Sequence, residues 1–94
     1  MTMAEHDDLE TRRRRMLYRS THRGTQELDI LVGEYVRDRL ADLDHAALDR
    51  IEGLLDEEET ELQAWLMGQD VPPAGVDAEL IAEIRAARIG KVTP

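Results

Sequence analysis

The residues most able to do chemistry are Arg23-Gly24-Thr25-Gln26-Glu27, with Tyr18, Arg19 and His22 just before them and Asp29 just after. Arg23 offers a planar fork of N–H donors suited to a carboxylate or carbonyl oxygen. Glu27 is an acceptor of opposite sign, three residues past a glycine. Gly24 has no Cβ, so it can take φ > 0 or let another backbone approach closely. The chemistry this implies is recognition through a fixed, two-signed polar corner. A plainer reading stands level with it on the residues alone: Arg23 and Glu27 form an ordinary i, i+4 pair across a helix start, worth a few tenths of a kcal/mol.

Covalent and metal chemistry find less support. No nucleophile, base and orienter can be assembled with any specificity, so the chain reads as a non-enzyme with no catalytic residues. It has no Cys, which removes disulfides, thiolate zinc sites and cysteine nucleophiles together. His6, His22 and His45 are scattered, and none has a second ligand at metal spacing on one helix face. The carboxylates Asp56, Glu57, Glu58, Glu59 and Glu61 lack the alternating oxygens of an EF-hand. They read as a solvated helix start that complements the helix dipole. No metal is expected.

The net charge of −9 is unevenly spread. Residues 1–27 hold six Arg against five acids, whereas residues 28–94 hold six basic residues against sixteen acids. An acidic body opposes phosphate-backbone binding. The run Arg12–Arg15 points around a whole helix and reads as a solvated face balancing that body. No nucleic-acid partner is expected. No apolar run approaches the roughly 18 residues of a membrane span, and no GxGxxG occurs. The expectation is a cytoplasmic monomer with no membrane insertion.

The elements that would position the corner are helices. Strand signals are nearly missing, and helical periodicity appears five times. The first segment runs from about Leu9 to Thr21, with Met16, Leu17 and Ser20 on one face. The second carries Leu28, Leu31, Val32, Tyr35, Val36, Leu40 and Leu43 at helical spacing. Asp44 is a plausible N-cap for the third, whose stripe is Ala47, Leu48, Ile51, Leu54 and Leu55. The fourth opens in the acidic run, presents Leu62, Trp65, Leu66 and Met67 inward, and ends at Gly68. Trp65 is the largest core plug in a chain without Phe. Val71-Pro72-Pro73-Ala74-Gly75 is a loop. Asp77 caps the fifth segment, lined by Leu80, Ile81, Ile84 and Ala87. The fold class expected is all-α, a compact five-helix bundle. One helical domain would span 9–89, between a disordered tail at 1–8 and a flexible tail at 90–94.

The corner resembles the RGxxE motif of the SdhE/YgfY family of succinate dehydrogenase flavinylation and assembly factors. Leu17-Tyr18-Arg19-Ser20 and His22-Arg23-Gly24-Thr25 look like that family's first helix end and corner, and Glu27-Leu28-Asp29, Leu31 and Gly33 like its second helix. A second block is similar too: Leu54-Leu55-Asp56, Leu62, Trp65-Leu66-Met67-Gly68 and Pro72. The likeness covers residues 12–73. Thr21, Glu58 and Gln63 depart from the usual pattern, at positions that touch packing or the rim.

The resemblance implies a five-helix bundle. It implies a chaperone-like FAD assembly factor that helps the flavoprotein subunit of succinate dehydrogenase, and in some members fumarate reductase, acquire covalently bound FAD. It implies partner-binding roles for Tyr18, Arg19, His22, Arg23, Gly24, Glu27 and Asp29, and no FAD held stably by the chain itself. Two other functions stay open. A direct FAD carrier lacks a glycine-rich phosphate cradle here, and a small bundle offers little cavity. A helical regulatory or nucleic-acid-binding adaptor would use Arg12–Arg15.

Overall fold

The computed structural model describes residues 8–92, with side chains through residue 89. Among them the chain forms five α-helices: α1 (Leu9–Ser20), α2 (Gln26–Arg39), α3 (His45–Leu55), α4 (Glu59–Leu66) and α5 (Ala78–Val92). No strand occurs among the described residues. The all-α five-helix bundle expected from periodicity is the fold observed.

Each helix start has a local cause. The side chains of Asp8, Thr25, Asp44 and Glu58 accept the backbone N–H groups of Thr11, Leu28, Ala47 and Glu61, which would otherwise lack partners. Asp77 does the same for Leu80 at the start of α5. The core then assembles from one stripe per helix. Leu28, Val32, Tyr35 and Val36 of α2 meet Leu48, Ile51, Leu54 and Leu55 of α3, Leu62, Trp65 and Leu66 of α4, and Leu80, Ile81 and Ile84 of α5. From α1, Met16 is the one apolar side chain fully inside. Tyr35 carries its polar end to the edge, where the hydroxyl donates to Glu83 at 3.0 Å and Arg39 lies 4.3 Å over the ring. Burial, more than the Glu83 carboxylate, pushes the Tyr35 hydroxyl above its ordinary pKa.

Several expectations are corrected here. The second segment does not run to Leu43 as one helix. It stops at Arg39, a 3-10 turn takes Leu40–Asp42, and Leu43 enters the core from extended backbone that leads into the Asp44 cap. Met67 is 45% exposed, because α4 ends one residue earlier and its stripe closes with Leu66. Helix α5 runs on through Val92, past the expected boundary at residue 89. At the other end Asp8 is an ordered cap, and residues 1–7 lie outside the described residues, as do 93–94.

The arginine run is the largest correction. Arg12 is not solvated: its side chain is 16% exposed and its guanidinium reaches Asp49 at 2.9 Å and Glu52 at 3.1 Å on α3. Its Nη1 also lies 2.9 Å from His45 Nδ1, which must then be the accepting nitrogen. Arg13 donates to the Leu43 carbonyl at 2.8 Å. Half the run therefore fastens α1 to α3 and its approach, and only Arg14 and Arg15 are exposed.

Asp77 links α5 to α3 through Arg50, with contacts of 2.8 and 3.1 Å. The Arg50 guanidinium, chiefly, holds its carboxyl below the ordinary value. A carboxyl whose pKa is depressed on folding adds stability above its unfolded value, and that stability is lost as pH falls through the folded one. Asp77→Asn is therefore expected to cost about 1 kcal/mol near neutral pH, allowing for the partial exposure of both partners, and little in acid. Urea unfolding at both pH values checks this; an equal cost at each would assign the effect to packing.

Candidate functional site

The site is the α1–α2 corner, residues 21–25, where the chain reverses direction. Two close approaches fix it. Gly33 of α2 faces the end of α1, where a Cβ would stand 2.8 Å from Thr21 Cγ2 and 3.4 Å from the Ser20 carbonyl oxygen. The α1 end is tied off locally, since the hydroxyls of Ser20 and Thr21 donate to the carbonyls of Met16 and Leu17. Thr21 thus sits in a tight contact that a larger side chain would have to enter differently.

Gly24 turns the corner at φ 113°, a conformation that residues with a Cβ rarely adopt. Directly over it lies Glu59, the first residue of α4: a Cβ at Gly24 would be 2.8 Å from Glu59 Oε2. The carboxylate of Asp29 then closes the loop by accepting the Arg23 backbone N–H at 2.6 Å. The Arg23–Glu27 pair of the plainer reading does not form among the described contacts. Arg23 Nε is buried without a hydrogen-bond partner, and the exposed Glu27 side chain turns toward a different surface.

Around this frame the other predicted residues take distinct places. Tyr18, 67% exposed, stacks on His22 with ring centroids 4.0 Å apart and planes 18° from parallel. His22 Nδ1 lies 2.8 Å from the Tyr18 carbonyl oxygen. The neutral ring in this contact therefore carries its proton on Nδ1 and leaves Nε2 as the outward acceptor. Arg19 reaches Asp56 at 2.7 Å, in the connection between α3 and α4. Glu27 stands at one side of an open cleft of about 360 Å³ whose apolar surface includes Ile30, Leu31, Met67 and Ile89, with Arg85 also on its wall.

Six of the seven residues singled out from the sequence lie at the corner while Glu27 borders the neighbouring cleft, and they do not share one condition. Arg19 and Asp29 are engaged within the chain. Tyr18, His22 and Glu27 face outward, and Arg23 is half-buried. Two further residues reach the corner. Asp56 and Glu59 belong to the acidic run: Asp56 stays exposed, as expected, while pairing with Arg19, and Glu59 is half-buried over Gly24. Glu58 caps α4, and Glu59 and Glu61 stand in its first turn, as expected of a helix start. No sequence spacing brings residues 56–59 to residues 19–24; their meeting is a product of the tertiary fold.

The described residues hold no group of three or more His, Asp or Glu placed to bind a metal, and no helix long and apolar enough to cross a membrane. The arrangement offers hydrogen-bonding groups of both signs, an exposed ring pair and an exposed glycine flanked by a carboxylate, which suits binding of a polar protein surface.

Comparison with known proteins gives the family. The FAD assembly factor SdhE of Acetobacter pasteurianus is 40% identical over 63 residues, 67% of this chain and 58% of that protein. The mitochondrial succinate dehydrogenase assembly factor 2 of Cryptococcus neoformans is 32% identical over 68 residues, 72% of this chain and 39% of the relative. The Arabidopsis thaliana protein of the same name is 35% identical over 64 residues, 68% and 34% respectively. The matched region thus spans less than two thirds of each of these relatives. No solved structure matches the chain. Residues 14–88 match the family described as "Flavinator of succinate dehydrogenase", a match that reaches into α5, beyond the blocks that carry the resemblance in the sequence. With both sequence blocks, the helical fold and the glycine corner inside that match, the chain belongs to the flavinator of succinate dehydrogenase family.

Proposed function

We propose that this protein is a cytoplasmic assembly factor, not an enzyme, that promotes covalent flavinylation of the flavoprotein subunit of succinate dehydrogenase. Fumarate reductase is a further candidate client. The observation that carries the reading is the corner itself: within a chain of this family, Gly24 is exposed at φ 113° between the half-buried Arg23 and the exposed Glu27. Gly24 lets a client backbone come close. The Arg23 guanidinium donates to a client carboxylate or carbonyl, and Glu27 accepts from a client donor. Tyr18 and His22 add a flat, exposed surface beside them. Arg19 and Asp29 contribute indirectly, by holding the corner's shape through Asp56 and the Arg23 N–H.

The protein then acts by population shift. Docking near the client's flavin site favours the conformation in which flavin and client histidine are placed to react, and positioning supplies the rate. No FAD need be held by the bundle.

The test is pull-down with the flavoprotein subunit, read together with in-gel fluorescence of the covalently bound flavin. Glu27→Ala removes one charged, exposed hydrogen-bonding group. It is expected to leave the melting temperature unchanged and to weaken client binding on the order of tenfold or more. Wild-type flavinylation by this variant at normal protein level would sink the reading. Free FAD titrated against the pure protein is the control, since saturation at micromolar levels would favour a carrier.

A further inference from the structure

Among the described residues two buried side-chain polar atoms have no hydrogen-bond partner, Arg23 Nε and Glu59 Oε2, and both residues flank Gly24. Arg23 precedes Gly24 in the chain, and Glu59 Oε2 lies where a Gly24 Cβ would touch it at 2.8 Å. Folded proteins satisfy nearly all such atoms, because a buried donor or acceptor without a partner costs a desolvation penalty that nothing offsets. Here one is a cationic donor and the other an anionic acceptor, and no ion pair joins them. Neither is needed to start a helix, since the α4 cap is Glu58.

We infer that Glu59 is a client-binding residue, and that it and Arg23 form an unfilled pair of hydrogen-bonding positions completed by an amide group of the client. An amide has what both atoms lack: an N–H to give to Glu59 Oε2 and a carbonyl oxygen to take from Arg23 Nε–H. Gly24 is the reason such a group can reach them. It is exposed and has no side chain, so a partner backbone can lie against it, and Glu59 and Arg23 are long, half-buried side chains that turn to the surface by rotation about single bonds. Their unpartnered state in the free protein is then the cost of a site kept ready, as at other functional sites.

The inference rests on the docking reading above, and stability measurement separates it from a structural role. If Glu59 merely held the corner together, removing it would lower the melting temperature. If its buried oxygen is instead an unsatisfied acceptor awaiting a partner, Glu59→Ala and the isosteric Glu59→Gln leave the melting temperature unchanged or raise it. Both weaken binding of the flavoprotein subunit on the order of tenfold or more, with a matching loss of covalent flavin. The full chain carrying each variant would be measured beside Glu27→Ala. A lowered melting temperature with wild-type affinity in both Glu59 variants overturns the inference. Weakened binding by Glu27→Ala alone overturns it too, while leaving the docking reading intact. Wild-type binding by all three variants, or no binding by the parent protein, overturns both.

Discussion

Replacing Trp65 with Ala is expected to remove about 3–5 kcal/mol of stability, the usual cost of deleting a large aromatic side chain from a packed interior. Trp65 is 4% exposed and is the chain's only Trp. It lies on α4, whose neighbours Leu62 and Leu66 are also buried, and meets Ile81 of α5 and Pro72 of the preceding loop around one recess. A domain of this size has about 5–14 kcal/mol in all, so this one substitution removes a large share. The melting temperature should fall by more than about 10 °C, and urea unfolding gives the free energy directly. A loss under about 1 kcal/mol, with client binding abolished, would show Trp65 to be a partner anchor instead.

The second large effect is at Gly24. Substitution with Ala places a side chain on backbone at φ 113° and sets its Cβ 2.8 Å from Glu59 Oε2. Backbone strain of this kind costs on the order of 1–3 kcal/mol, and the carboxylate must also turn away. Gly24→Ala is therefore expected to lower stability by about 2 kcal/mol and to weaken client docking as well. A double-mutant cycle with Glu59→Ala separates the causes: the steric share disappears when Glu59 is truncated, and the backbone share remains. Full additivity would mean that the carboxylate moves freely and strain is the whole effect. Gly24→Arg inherits the same strain. Glu27→Ala is the better probe of docking, because Glu27 is exposed on regular helix.

What was legible in the sequence follows from what is local. The helix starts at Asp44 and Asp77 are written in side chains three residues from the N–H groups they accept, and the core stripes in spacing along one helix. The corner was legible because its glycine, arginine and carboxylates lie within seven residues of each other. What was not legible depends on meeting across the fold. Arg12 and Arg13 look like part of a uniform charged run until α3 and Leu43 are set beside them. Asp56 and Glu59 look like interchangeable members of an acidic segment until one finds Arg19 and the other Gly24. Met67 shows the limit of periodicity at a helix end, where one residue beyond the last turn faces away from the stripe it seems to continue.

The way α1 is held has a consequence for binding strength. It contributes one fully buried apolar side chain, Met16, where α2 contributes four, and much of its attachment is charge: Arg12 on Asp49 and Glu52, Arg19 on Asp56. Helices with few buried contacts open locally at lower free energy than the fold unfolds as a whole. The corner therefore joins a helix held largely by charge to one held by its apolar stripe. A partner gripping residues 18–29 acts across that boundary and must order α1 whenever it is open. The affinity it shows is then its contact energy less that ordering cost, so a change that merely fastens α1 more firmly would tighten binding without adding any contact.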